Sequence, residues 1–395
     1  MNVTFQSNGG QARPLGHVCR TVLHTLTAGL CGLLLAAGIS RAETVSNLEA
    51  VDASGVSTWS GGFPVTLVGV LLTDPDEMLD STPNFVDWND GAGIFQLGGQ
   101  WQVFVQAISS ADRGGVECWM GQNYGNLPWL HNSNLSYTNE AWSAEVNRVS
   151  HDPSTGHAFH KGDLVTVTAN GSLFYGGMQN VNEEHSIDPA LDFTISLVSS
   201  NFGLPAPEAI SLSSVVGVDD SNPATHEDVF DATRATGGEH YQGMRVRVNG
   251  LTLVATNGWN PGLDWGSREC TATDGEGRYF TLIHPRYSLG AAPTNRFDAT
   301  GVFIQESGSG TDGTFGYELF VQEITSTADA MLNIATKPVI SWPGPLSNYR
   351  LEGADSLSNT NWTAVTNSPV LVNGQNTVIL EPAAGQRYYR LQRAQ

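Results

Sequence analysis

The chain has 395 residues, of which 40% are hydrophobic and only 14% charged, and its formal charge is −21. These values exclude a disordered polyelectrolyte, and the negative field opposes general affinity for phosphate backbones. Forty-four glycines, many Asn, Ser and Thr residues, and lysines only at 161 and 337 favour strands and turns over helices.

Residues 1–42 read as an export signal. Arg13 and Arg20 flank the apolar run from Leu26 to Ile39, and Ser40-Arg41-Ala42 sets small residues at the −3 and −1 positions of a cleavage site after Ala42. The run falls short of the roughly 20 apolar residues that span a bilayer, so no transmembrane segment is expected in the mature chain. Cys31 lies inside the run rather than just after it, unlike a lipoprotein cysteine. Removing the signal leaves 15 basic and 39 acidic residues, a charge of −24. A secreted or cell-surface location follows as the expectation. Two cysteines remain, and an oxidising compartment permits a Cys118–Cys270 disulfide. The similar runs Gly115-Val116-Glu117-Cys118 and Ser267-Arg268-Glu269-Cys270 would then be equivalent positions of two repeats. Two separate thiols are the alternative.

Residues 43–204 form the first expected domain. Alternating or apolar runs at Phe63–Leu72, Trp101–Ile108, Asp163–Ala169 and Phe193–Val198 read as strands. Asn139–Val149 reads as a helix, with Trp142, Val146 and Val149 spaced near 3.6. The Pro-rich link Leu204–Glu208 and an acidic segment from Asp219 to Asp231 lead into a second domain, residues 205–330. Its strands are expected at Arg245–Val248, Leu251–Ala255, Arg278–Ile283, Phe297–Gln305 and Tyr317–Ile324. Five strands in about a hundred residues suit a closed barrel, because closure removes exposed edges. Residues 338–395 carry short strands and an Asn373-Gly374 hairpin turn, which argues for a small β-sandwich. The expected fold class is all-β: two OB-like β-barrel domains in tandem plus a small C-terminal β-sandwich.

Three resemblances accompany these readings. Glu239-His240-Tyr241-Gln242-Gly243-Met244-Arg245-Val246 resembles the E-x-Y-E-G-M-L-V opening strand of OB-fold-like domains in secreted bacterial proteins, some of them joined to extracellular nucleases. It departs at Gln242, where those domains commonly carry Glu, and no nuclease domain accompanies it. Residues 118–126 (CWMGQNYGN), 162–165 (GDLV), 182–185 (NEEH) and Asp192-Phe193 are similar to secreted proteins of environmental bacteria, a likeness that brings no activity with it. Ile340-Ser341-Trp342-Pro343, Tyr349-Arg350-Leu351-Glu352, Asn361-Trp362 and residues 387–391 (RYYRL) resemble the C-terminal β-sandwich of many exported proteins, which implies surface association or sorting.

His151, His157, His160 and His185, beside Asp152, Asp163, Glu183 and Glu184, match no strong metal spacing, and loop histidines are the simpler reading. Asp74, Asp76, Glu77, Asp80, Asp87 and Asp90 could attract Ca2+ but lack the regular loop spacing of a calcium hand, and a solvated acidic loop is the alternative. Adjacent Glu183 and Glu184 on a strand would point to opposite faces and could not flank one glycosidic bond. Cys118 reads as structural rather than nucleophilic, and neither a nucleophile elbow nor a phosphate loop is present. The run from Trp119 to Trp129 interleaves aromatics with amides, so Trp119, Gln122, Asn123, Tyr124 and Trp129 are the candidate ligand-binding residues, by sugar or base stacking. A loop covering the core is the alternative. No catalytic residue and no cofactor are expected. The favoured function is a secreted, non-catalytic module for extracellular glycan or protein. An OB-type nucleic-acid accessory protein, opposed by the charge, and a metal-dependent hydrolase using the His151–His185 region are the alternatives.

Overall fold

The computed structural model describes residues 41–88, 96–109, 111–218, 227–326, 338–344, 348–358, 361–380 and 386–393. The apolar part of the expected signal, Asp90 and most of the acidic connector lie outside them. The described chain is predominantly β.

The first unit is a single eight-stranded sheet. Its strands are β1 (Arg41–Ala42), β2 (Val65–Leu71), β3 (Gln100–Ala107), β4 (Gly115–Gly121), β5 (Leu164–Ala169), β6 (Ser172–Tyr175), β7 (Met178–Val181) and β8 (Thr194–Ser199), in the order β6-β7-β4-β3-β2-β5-β8, with β1 parallel to β2. Period-two alternation explains the two faces. On β3, Trp101, Val103 and Val105 enter the core, while Gln102, Phe104 and Gln106 face the other way. Two helices attend the sheet, the short α1 (Val45–Leu48) and α2 (Asn139–Val149). The Thr138 side chain caps α2 by accepting from Ala141 N, and Trp142 and Val149 pack into the core. The expected closure of this unit is corrected. The hairpin β6–β7 occupies the side of β4 where a closing strand would pair, β7 running parallel to it, and β8 pairs only with β5.

The second unit closes. After β9 (Glu208–Ile210) come β10 (Arg245–Ala255), β11 (Glu269–Thr273), β12 (Tyr279–Ile283), β13 (Phe297–Gln305) and β14 (Tyr317–Ser326), ordered β11-β12-β14-β13-β10-β9, with β10 also pairing β11. Thus β10 to β14 form a closed five-stranded barrel with β12 and β14 parallel. The two short strands expected at 245–255 are one. Its register shifts around Gly250 (φ 72°), and the bend lets its first half pair β13 and its second half β11. Phe280, Phe297, Phe303, Tyr317 and Leu319 fill the interior.

The third unit pairs β15 (Val339–Pro343), β18 (Val370–Val372) and β19 (Gln375–Ile379) in one antiparallel sheet, and β16 (Tyr349–Ala354), β17 (Thr363–Ala364) and β20 (Tyr388–Arg393) in another. Trp342, Leu351, Val378 and Leu380 form one core from both sheets. Asn373 and Gly374 both take positive φ, 50° and 78°, as a tight hairpin requires.

The open sheet and the barrel are joined by a third apolar cluster, in which Leu72, Met78, Phe104 and Met178 meet Ile283, Val302, Ile304 and Phe320. Backbone contact between glycines extends the junction. A Cβ on Gly115 would stand 1.9 Å from Gly243 O, and one on Gly243 would stand 2.1 Å from Gly115 O. Gly115 N donates to Gln242 O at this crossing. Gln242 is fully buried and donates from Nε2 to Gly177 O and Gln305 Oε1 while its Oε1 accepts from Arg234. The Cys118–Cys270 disulfide is corrected: Cys118 lies in the sheet core and Cys270 in the barrel core, both as free buried thiols. They are not equivalent positions either, since Cys118 sits on the third strand of the path β2-β3-β4 and Cys270 on the second strand of the barrel.

Candidate functional site

The candidate ligand residues divide on burial. Gln122, Asn123 and Tyr124 are fully buried, Trp119 is half-buried, and Trp129 is 60% exposed. Gln122 Oε1 accepts from Asn84 N at 2.6 Å and Gly99 N at 3.0 Å, and its Nε2 donates to Asn139 Oδ1 at 2.8 Å. Asn123 Nδ2 donates to Asn84 O. These amides tie the run to the backbone at Asn84 and Gly99 and to the first residue of α2, so Gln122, Asn123 and Tyr124 are removed from the ligand-contact set. Trp119 and Trp129 remain, and His185 joins them. The His185 ring lies 5.9 Å from each of the two tryptophan rings and 5.5 Å from that of Tyr124. Burial pushes its pKa down to about 4, so the ring is neutral.

Beneath this aromatic patch lies a buried polar network. Glu183, fully buried just after β7, accepts through Oε2 from Tyr137 OH at 2.8 Å and Tyr124 OH at 3.1 Å. Its Oε1 is buried without a hydrogen-bond partner. On α2, Glu145 and Arg148 share one face at the i,i+3 spacing. The Arg148 guanidinium contacts Glu145 and lies 3.8 Å from both Glu183 and Asp192, while Nη1 donates to Phe193 O. One carboxylate oxygen from each of Glu145, Glu183 and Asp192 falls within 4.8 Å of the others. Burial pushes the Glu183 carboxyl up to about 8; the Tyr137 phenol opposes the rise, and Glu145 and Asp192 add to it. Burial and the Glu145 charge also raise Asp192, against Arg148. This trio could hold a cation by donor type, but the chain's own guanidinium stands among the three carboxylates.

Backbone strain marks the same place. Glu184 and His185 are consecutive non-glycine residues in the left-handed region, at φ 52° and 54°, a conformation that costs of order 1–3 kcal/mol per residue and concentrates at functional sites. It turns Glu184 out to solvent while Glu183 stays buried.

The other clusters separate. His157 and His160 do come together, their rings 6.3 Å apart edge to face and both residues bonded to Asp163 Oδ2, His157 through Nε2 and His160 through its backbone N. His151 Nδ1 bonds Asn147 O, His185 lies with the tryptophans, and no three ligand atoms of this set converge among the described residues. Asp152 instead binds Ser154, Thr155 and the Leu197 N–H. In the acidic loop, Lys161 reaches Asp74 and Glu77, and Arg286 pairs with Asp80 at 3.2 Å. Side-chain cations thus answer the carboxylates of Asp74, Glu77 and Asp80.

Two grooves lie elsewhere. One of about 520 Å³ is lined by Val70, Ile108, Arg113, Phe202, Pro205 and Met244. Another of about 510 Å³ runs past Asn84, Gln100, Asp264, Trp265, Arg268 and Arg286. Neither is lined by a member of the Glu183 network. Sequence reading missed Tyr137, Glu145 and Arg148. The helix-face spacing of the last two was legible; their approach to Glu183 depends on how α2 packs.

Comparison with protein-family models, with curated proteins and with solved structures finds no match to this chain.

Proposed function

We propose that the chain is an exported, non-catalytic binding protein whose ligand face is the Trp119–Trp129–His185 patch, and that the ligand is a neutral glycan. The exposed Trp129 ring, in contact with a neutral His185 held in a strained turn, carries this reading. Sugar rings stack on such faces, and the carboxylates of exposed Glu184 and Asp188 nearby in sequence can accept hydroxyl hydrogens. The net charge of −21 disfavours sulfated or uronic glycans. On this reading the Glu183 network is the rigid floor of the patch. The barrel and the tail fit the wider architecture. The order of β10 to β14, with its third and fifth strands parallel, is consistent with an OB-type barrel, and the two small sheets of the third unit with a surface-type sandwich.

Nucleic-acid binding is less well supported. In OB-type barrels the face of the second and third strands meets the ligand. Here that face carries Glu269, and its Ile283 is spent in the junction. One observation favours a second reading, glycan hydrolysis: Glu183, raised to about 8, stands close to Glu145 and Asp192, as paired acids do in retaining glycosidases. Against it, two tyrosines consume Glu183 Oε2 and Arg148 occupies the neighbouring carboxylates.

The test is retention on an array of neutral oligosaccharides. Trp129→Ala should weaken capture by about 5- to 150-fold, the equivalent of the 1–3 kcal/mol an aromatic contributes when a base stacks on it. Equal retention by both proteins, or retention of neither, rejects the assignment.

A further inference from the structure

The second groove, of about 510 Å³, holds a charge that the chain leaves unanswered. Arg268 lines it and is the only arginine or lysine buried among the described residues. Its Nη1 and Nη2 donate to His284 O and Met78 O, while Nε is buried with no hydrogen-bond partner. Arg234 and Arg278, also largely buried, each have a carboxylate in ion-pair contact, Glu239 and Asp274. No described carboxylate stands within that distance of Arg268. The lack is local, since the whole chain has 39 acidic residues against 18 basic ones. The Trp265 ring, its centre 5.3 Å from the Arg268 guanidinium carbon, steadies the cation without cancelling its charge. Burial and then the charge of Arg286 pull the Arg268 pKa down to about 10, against the smaller pull of Asp264 and Asp80, so the group stays protonated at neutral pH. A charge taken out of water is costly unless an opposite charge meets it.

Both walls of the groove are held in place. On the sheet side, Asp80 accepts from Thr82 N through Oδ1 at 2.9 Å and from Gln100 N through its carbonyl at 2.7 Å. On the barrel side, Arg286 N donates to Glu77 O at 3.1 Å, which fixes the end of β12 against the first unit. The Arg286 side chain pairs with Asp80 through Nη2 at 3.2 Å and is still 31% exposed. Asn84, Gln96 and Gln100 line the sheet wall with side-chain amides that make no hydrogen bond among the described residues, so they are free to meet hydroxyl groups. Asp80 offsets Arg286, and the buried guanidinium is left over.

We infer that this groove binds a small hydroxylated monocarboxylate, of the sugar-acid class, with its carboxylate drawn to Arg286 and Arg268 and its hydroxyls to the wall amides. Planar guanidinium groups match a carboxylate in shape as well as in charge, and a groove of this volume admits a molecule of that size. A dianion fits worse, because Asp80 and exposed Asp264 stand beside it and the net charge of −21 opposes its approach. The site is separate from the Trp119–Trp129–His185 patch, none of whose residues lines it.

Sodium gluconate is titrated into the full chain in a calorimeter, beside sorbitol, which carries CH2OH in place of the carboxylate, and sodium phosphate, all at matched ionic strength. One gluconate should bind per chain, with no heat beyond dilution from sorbitol and affinity for phosphate lower at least about tenfold. Arg286→Gln should weaken gluconate binding at least about tenfold, as the loss of a charge-assisted hydrogen bond does. Asp80→Asn frees Arg286 and should tighten binding, and Trp129→Ala should leave it unchanged. Arg268→Met should abolish it; should that chain not fold, the variants at partly exposed Arg286 and Asp80 carry the test. The inference is overturned if the parent chain binds no gluconate, if sorbitol or phosphate binds as tightly, if Arg286→Gln binds as well as the parent, or if Asp80→Asn or Trp129→Ala binds more weakly.

Discussion

Gln242 accepts from Arg234 and donates both amide hydrogens, to Gly177 O and Gln305 Oε1. A carboxylate has no hydrogens to give, so Gln242→Glu leaves two buried acceptors facing a third. That change should cost about 2–4 kcal/mol in urea denaturation; an unchanged midpoint would mean that the junction repacks freely. Thiol reactivity is a second test at this scale. Cys118 and Cys270 are buried in separate cores, so in the chain from residue 43 onward an aromatic disulfide reagent should find almost no thiol in the native state and two in denaturant. Detecting a bridge would contradict the fold. The aromatic residues of the candidate patch were legible as types, because Trp and Tyr interleaved with amides stand out. Their roles were not, since burial decides that Gln122 and Asn123 serve the loop while Trp129 faces solvent.

Elements with their own local signals were readable. Helix α2 announces itself through the spacing of Trp142, Val146 and Val149; the Thr138 cap is what the structure adds, and Thr138→Ala should destabilise the chain by about 1 kcal/mol. The hairpin at Asn373-Gly374 is equally local. Strands β4, β6, β7 and β11 were not marked out, because Gly115–Gly121, Ser172–Val181 and Glu269–Thr273 mix polar and small residues and become strands only through their partners. Glycines at the crossing of β4 and the start of β10 show the same dependence on context. Gly243 stands at φ 69° against the Gly115 backbone, so Gly243→Ala must both strain the chain and part the units. A loss of at least about 3 kcal/mol is expected in denaturant unfolding, above that of Gly156→Ala, where φ is also positive at 71° but the Cβ position meets open space, so that only the backbone strain is felt.

Across the molecule, one open sheet, one closed barrel and a separate two-sheet unit divide the work of building a core, and the acidic balance sets how stability responds to pH. Burial raises Glu49 and Glu183 to about 8, and Glu239 to about 7 despite Arg234. Each folded-state pKa exceeds its unfolded value, so the stability contribution is whole below about pH 4.5 and is lost as pH rises through 7 to 8. The thermal midpoint should therefore fall between pH 5 and pH 8.5, and Glu183→Gln should flatten part of that slope. Whether the Glu183 network is a floor or a reacting centre is decided by incubating the chain with reducing-end-labelled neutral oligosaccharides and resolving the products. Ligands are expected to be retained intact through Trp129 with no bond cleaved. Cleavage that disappears in Glu183→Gln would contradict it.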